Sequence, residues 1–123
     1  MTPDHIRSTA AIHQPLKPAV FHILLALADG DSYGYAVMQA VRQSSAGAVP
    51  LRTASFYRHL AKLIETGVVA ESFESRPGDD PRRGTYYHLT RHGHRLLTEE
   101  RHRLASLVAA VDHLAPASRK RHA

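Results

Sequence analysis

The sequence predicts a mainly α-helical domain with a small β-hairpin, closed by a long C-terminal helix. Three observations lead there. Apolar residues recur at helical spacing in successive segments between Pro18 and Gly67. Two β-rich stretches, VVAESFES and GTYYHL, flank the breaker-rich run RPGDDPRR. A last amphipathic stretch then follows Thr90.

Residues 1–17, punctuated by Pro3 and Pro15, form an arm or hold a short helix around Asp4–Ile12. Pro18 suits a first helical position, and the AVFHILLALAD that follows is apolar around most of its circumference, as in a buried helix ending near Asp29–Gly30. Ser32 is placed to cap a second helix, YGYAVMQAVRQSS. Its inward stripe is Tyr33, Val37, Met38 and Val41, with Gln39, Arg42 and Gln43 outward and Gly47 as a stop. Ala48–Leu51 connects to a third helix, residues 54–66, which Thr53 would cap. Phe56, Leu60, Leu63 and Ile64 share one face of that helix, and Ser55, Arg58, His59 and Lys62 the opposite one.

Strands are expected over Val68–Ser75 and Thr85–Leu89, joined by a basic turn (75–84) that carries Arg76, Arg82 and Arg83. Thr90 can cap the last helix, running from Arg91 to about Leu114, where Pro116 ends it and a basic, unordered tail (116–123) begins. In that helix Leu97, Leu104, Leu107, Val108, Val111 and Leu114 keep heptad-like spacing, and Glu99, Glu100, Arg101 and Arg103 fill the polar surface between them. A basic helix followed at once by a basic hairpin is the layout of a winged helix-turn-helix, here over residues 18–90. The stripe in 91–115 outruns the needs of a small core and would lie bare on a monomer, so that helix is expected to dimerise.

Composition narrows the function. The 123 residues carry a formal net charge of +5, which favours a polyanionic partner. With no cysteine, the chain has no disulfide, thiolate chemistry or Cys-ligated zinc. The longest apolar run, AVFHILLALA, is too short to span a membrane, and the opening MTPDHIRSTA lacks an apolar signal core, so a cytoplasmic location is expected. There is no phosphate-binding glycine loop, G-x-S-x-G or H-E-x-x-H, and no evident carboxylate pair in an apolar setting; neither an enzyme nor a cofactor is expected. Of the ten histidines, His88, His92 and His94 are closest together, but a strand-to-helix change separates the first from the others, and His92 and His94 point apart on a helix, so no metal site is expected.

Three stretches together resemble the PadR family of winged-helix transcriptional regulators, over roughly residues 16–97. GDSYGYAVM (30–38) is similar to the family's helix-two opening, with Gly34 and Tyr35 at its Gly-Tyr pair. ASFYRHLAKL (54–63) resembles the recognition-helix signature, with Tyr57, Arg58, Leu60, Lys62 and Leu63 in place. YYHLTRHG (86–93) resembles the closing Tyr-x-Leu-Thr-x-x-Gly, with Tyr87, Leu89, Thr90 and Gly93 in register. Ala54, Ser55 and Phe56 depart from the usual Gly-Thr-Leu, which leaves the contacts of that first turn open. The resemblance implies a homodimeric DNA-binding regulator, usually a repressor, of the short form with a single closing helix.

On that reading Arg58 and Lys62 face the major groove, where an arginine can pair bidentately with guanine. Ser55 and His59 reach bases or phosphates, and Arg52 and Thr53 sit where helix N–H groups attract phosphate. The resemblance adds the Tyr35 and Tyr57 hydroxyls as backbone contacts. Arg76, Arg82 and Arg83 would lay the wing along the adjacent minor groove, although Asp79 and Asp80 at its tip oppose deep insertion. The Tyr86–Tyr87 pair is expected to pack in the hairpin rather than to stack on bases. A MarR-like or ArsR-like regulator, or a winged-helix protein-interaction module, are the alternatives. A small-molecule effector of unknown identity, held between the heads and the last helix, is a further candidate partner, but no residue set marks one.

Overall fold

The computed structural model describes residues 12, 14–72 and 84–122, with side chains as far as Leu114. Helix α1 (Pro18–Ala28) opens on its proline as expected and buries Val20, Ile23, Leu24 and Leu27. Strand β1 (Ser32–Tyr33) leads directly into α2 (Gly34–Ser44), whose inward residues are Gly34, Val37, Met38 and Val41. Helix α3 (Thr53–Glu65) follows, then β2 (Val69–Ser72), β3 (Tyr86–Leu89) and the long α4 (Arg91–His122).

The sheet is antiparallel in the order β1-β3-β2, so the hairpin has a third strand. Ser32 is therefore not a helix cap. It is extended and pairs with Tyr87, while Tyr33 pairs with Tyr86 and its ring stacks on the Tyr86 ring at 4.1 Å. That stack holds Tyr33 in the sheet instead of the inward stripe of α2. Tyr87 packs against the core, so both tyrosines are used in packing. The strand ends and the turn at 73–83, including Arg76, Asp79, Asp80, Arg82 and Arg83, lie outside the described residues, as does the segment proposed for a helix at 4–11.

Helices α2 and α3 end in the same way. Gly47 N–H donates to Arg42 O and Ala46 N–H to Gln43 O, both at 3.1 Å, with Ala46 and Gly47 at positive φ (52° and 80°). At the end of α3, Val68 N–H donates to Leu63 O (2.8 Å) and Gly67 N–H to Ile64 O (3.1 Å), with Gly67 at φ 77°. These paired bonds satisfy carbonyls that a helix end leaves open, and the left-handed residue between them suits glycine. Val68 and Leu63, the residues bridged, are both fully buried. The core is thus continuous from α1 through α3 to the sheet.

Thr90 fastens α4 to this body. Its hydroxyl accepts the Gly93 N–H (3.0 Å), capping the helix as expected, and donates to Gly67 O at 2.6 Å. The Thr90 N–H donates to Val68 O (3.1 Å). Gly93 lies so close to Val68 O that a Cβ there would overlap it, and the same Cβ would sit 2.9 Å from Leu89 Cγ. The last helix therefore crosses the α3–β2 junction backbone to backbone.

Two expectations for α4 need correction. Glu100 is not on the polar surface: it is 2% exposed, accepting the Leu16 N–H (3.1 Å) and both a 2.8 Å and a 2.7 Å bond from Arg103. Those bonds are what make a buried carboxylate tolerable. Its carboxyl is held below the usual range by the Arg103 hydrogen bonds, helped by the Leu16 amide against the opposing effect of burial. Second, the helix does not stop near Leu114 but continues past Pro116, so the tail expected to be unordered is helical as far as His122. An interior proline removes one bond and crowds the carbonyl four residues back, yet the turns on either side can still bond among themselves. Thr53 also differs from expectation: it is the first residue of α3, preceded by Arg52, and no side chain caps that end.

Gly93→Ala decides between two opposed effects. Helix propensity alone would favour alanine by about 1 kcal/mol, but the clash is with a fixed carbonyl. Urea denaturation is expected to show a net loss of about 1–3 kcal/mol, and a gain in stability would contradict this packing.

Candidate nucleic-acid interface

Helix α3 is divided by its own periodicity. Phe56, Leu60 and Leu63 are at most 1% exposed and anchor it in the core. The opposite side leaves Arg58 and Lys62 exposed and Ser55 and His59 half-buried. Arg58 Nη2 donates to Ser55 Oγ at 3.0 Å, so the guanidinium is already drawn along the outer face one turn back. Arg52 and Thr53 are exposed at the N-terminal end, where first-turn N–H groups lack a side-chain cap.

Tyr57 leaves this row and leans over the start of α2. A Cβ on Gly34 would meet the Tyr57 hydroxyl oxygen at 2.8 Å, so glycine at 34 is what lets the ring settle there. The Tyr57 ring also meets Phe56 edge-on at 4.9 Å. It remains 45% exposed, and Tyr35, at 65%, receives a 2.7 Å hydrogen bond from Gln39 Nε2. The Gly-Tyr pair of α2 and the Tyr-Arg pair of α3, read from separate parts of the sequence, are thus one packed arrangement that displays two phenol groups beside the basic row.

On the other flank, α3 and the segment before α1 border a cleft of about 480 Å³. Arg58, His59 and Lys62 line it together with Lys17, over apolar Val20 and Leu63. Lys17 was missing from the expected contacts: no periodicity within α3 points to a residue so far away in sequence. Burial, then the charges of Lys17 and Arg58, hold the His59 imidazole below its ordinary 6.5. A neutral imidazole both donates and accepts hydrogen bonds, and a nearby anion would favour its protonated form.

Among the described residues no group of three or more His, Asp or Glu is placed to hold a metal ion, and no helix is long and apolar enough to cross a membrane. His88 lies on β3, opposite Ala70, while His92 and His94 are exposed on α4.

Three packed helices followed by two paired strands, with exposed Arg58 and Lys62 on the last of those helices, are the arrangement of a winged-helix module. Residues 23–99 match the transcriptional regulator PadR-like family, and the chain belongs to it. Solved structures with the same fold include a PadR family transcription regulator from Clostridium difficile R20291, at 18% identity and TM-score 0.65, covering 80% of this chain and 99% of that one. The protein smu.1704 from Streptococcus mutans UA159 is similar at 24% identity and TM-score 0.64, covering 85% and 93%. A transcriptional regulator from Clostridium thermocellum, Cth-833, aligns at 20% identity and TM-score 0.61, covering 92% and 96%. No curated protein gives a significant match.

The depressed His59 has a consequence for stability. The unfolded chain binds that proton more readily, so stability is full above pH 6.5 and falls as pH drops towards the folded-state value. Urea midpoints measured on both sides of pH 6.5 should therefore converge for wild type and His59→Gln as pH falls, if the wild type is the more stable at higher pH. Parallel profiles would show that His59 is not perturbed.

Proposed function

We propose that this PadR-family regulator is a cytoplasmic repressor that binds a palindromic operator as a homodimer. The observation that carries this reading is the outer face of α3: Arg58 and Lys62 are exposed to solvent while its apolar face is locked into the core. A helix held that rigidly can enter a major groove about 12 Å wide with little loss of conformational freedom. Arg58 reads a base edge and Lys62 a base or phosphate. Ser55 and His59 add shorter contacts, Arg52 and Thr53 present the helix N-terminus to phosphate, and Tyr35 and Tyr57 bond the backbone beside it. The wing arginines Arg76, Arg82 and Arg83 are assigned to flanking DNA on sequence alone.

Dimerisation is supported by α4. Leu107, Val108, Val111 and Leu114 are 52–68% exposed, forming an apolar stripe beyond the reach of the chain's own core. Leu104 is half-buried, and Leu97 packs partly against that core at the inner end of the stripe. Pairing two such helices would cover the stripe and set two α3 helices on one duplex, about 34–36 Å apart. Repression then follows from occlusion of polymerase. An effector would act by changing the angle between the two heads.

Wild-type affinity for the DNA upstream of its own gene should fall with salt at a log–log slope near −5 to −7, corresponding to roughly six to eight phosphates per dimer; a flat response would leave a protein-interaction module. Arg58→Ala should cost about 1–3 kcal/mol and relax preference at one base position, whereas uniform weakening would make it a phosphate contact. Leu104→Glu combined with Val111→Glu should sediment as a folded monomer, and a persistent dimer would place the interface elsewhere.

A further inference from the structure

Beside the recognition helix stands a cation that belongs to another part of the chain. Lys17 is exposed and lines the same cleft as Arg58, His59 and Lys62. Its charge reaches far enough to act on the His59 ring. Among the described residues the ion pair found is Arg103–Glu100, and no acidic group engages Lys17.

Its backbone is fixed on both sides. Leu16, the preceding residue, is 7% exposed in the core, and its N–H is held by buried Glu100 at 3.1 Å. On the other side the Lys17 carbonyl accepts the Phe21 N–H at 2.9 Å, as the first bond of α1. Glu100 is itself oriented by two hydrogen bonds from Arg103, one turn further along α4. The chain of contacts runs from α4 through Glu100 and Leu16 to the rim of the α3 face.

We propose that Lys17 is a phosphate contact of the DNA interface, and that Glu100 is the positioning residue that keeps it beside the recognition helix. The inference rests on the proposed docking of α3. A helix lying in the major groove has a sugar-phosphate strand on each side, so a cation next to the helix, rather than on its groove-facing row, meets the backbone and not the base edges. It contributes affinity without sequence preference. Because the anchor lies on α4, the same helix that carries the exposed apolar stripe also fixes one wall of the DNA-facing surface.

The test is a salt titration of binding to two duplexes, a mixed-sequence one of roughly 30 base pairs, about three helical turns, and the DNA upstream of the gene. Lys17→Ala should weaken both alike and reduce the magnitude of the log–log slope by about 0.9 per subunit, close to 2 per dimer. Lys17→Arg should retain the wild-type slope. Glu100→Ala, checked for folding by thermal denaturation, should lower the slope as Lys17→Ala does, and combining the two should lower it no further. Glu100→Gln, whose amide oxygen can still accept the Leu16 N–H, should restore it. An unchanged slope in Lys17→Ala, or a loss confined to one sequence, overturns the assignment of Lys17, and a folded Glu100→Ala with full slope overturns that of Glu100. A wild type without salt-dependent binding would instead remove the DNA-binding reading itself, a result distinct from wild type and Lys17→Ala binding equally well.

Discussion

The arrangement depends on the contact where the last helix meets the end of α3. At that point the Thr90 hydroxyl joins the Gly67 carbonyl to the Gly93 amide, and Gly93 lies directly against Val68 O. Gly67 and Val68 close α3 through bonds to Ile64 and Leu63, so one threonine ties together the end of α3, the start of β2 and the first turn of α4. Every group in the knot is a backbone amide or carbonyl except that hydroxyl. A side chain at 93 would push the helices apart, and loss of the hydroxyl would leave the Gly93 N–H without its cap. The tilt of α4 relative to α3 is therefore set by close packing with little slack.

From this fixed junction the two surfaces diverge. One side of α3 has its apolar residues inside the core and its cations outside. Further along, α4 leaves the core after Glu100, and its apolar residues emerge into solvent from Leu107 onward. Burying hydrophobic side chains fixes the position of a charged face, and others are left bare as the apolar stripe on which the proposed dimer rests. Glu100, where α4 leaves the body, also reaches back to Leu16 and so touches the segment beside α3.

Much of this was legible because local rules and tertiary demands agree. The period of Phe56, Leu60 and Leu63, the stop at Gly67 and the cap at Thr90 are each readable over a few residues, and the structure uses them as expected. Reading failed where the cause is non-local. A two-residue strand such as Ser32–Tyr33 has no period; it exists by pairing with Tyr86–Tyr87 of the distant β3, where the Tyr33 and Tyr86 rings also stack. On α4 the core-facing row runs through Gly93, Leu96 and Glu100, with Leu96 at 5% exposure its sole large apolar member. The hydrophobic pattern therefore pointed to the neighbouring row through Leu97 and Leu104, and Glu100 read as surface. Lys17 likewise gains its meaning only from what folds beside it. The wing arginines, on residues 76–83, lie outside the described residues and remain an expectation.

Because the chain has no cysteine, a single introduced thiol reports on one place. Ala61→Cys sits on the exposed side of α3 between Arg58 and Lys62, and Thr98→Cys is an exposed control on α4. Rates of maleimide labelling with and without operator duplex test directly whether the basic face of α3 is the surface that meets DNA. The account predicts strong protection at residue 61 and little change at residue 98; equal labelling of Ala61→Cys in the bound and free protein would contradict it.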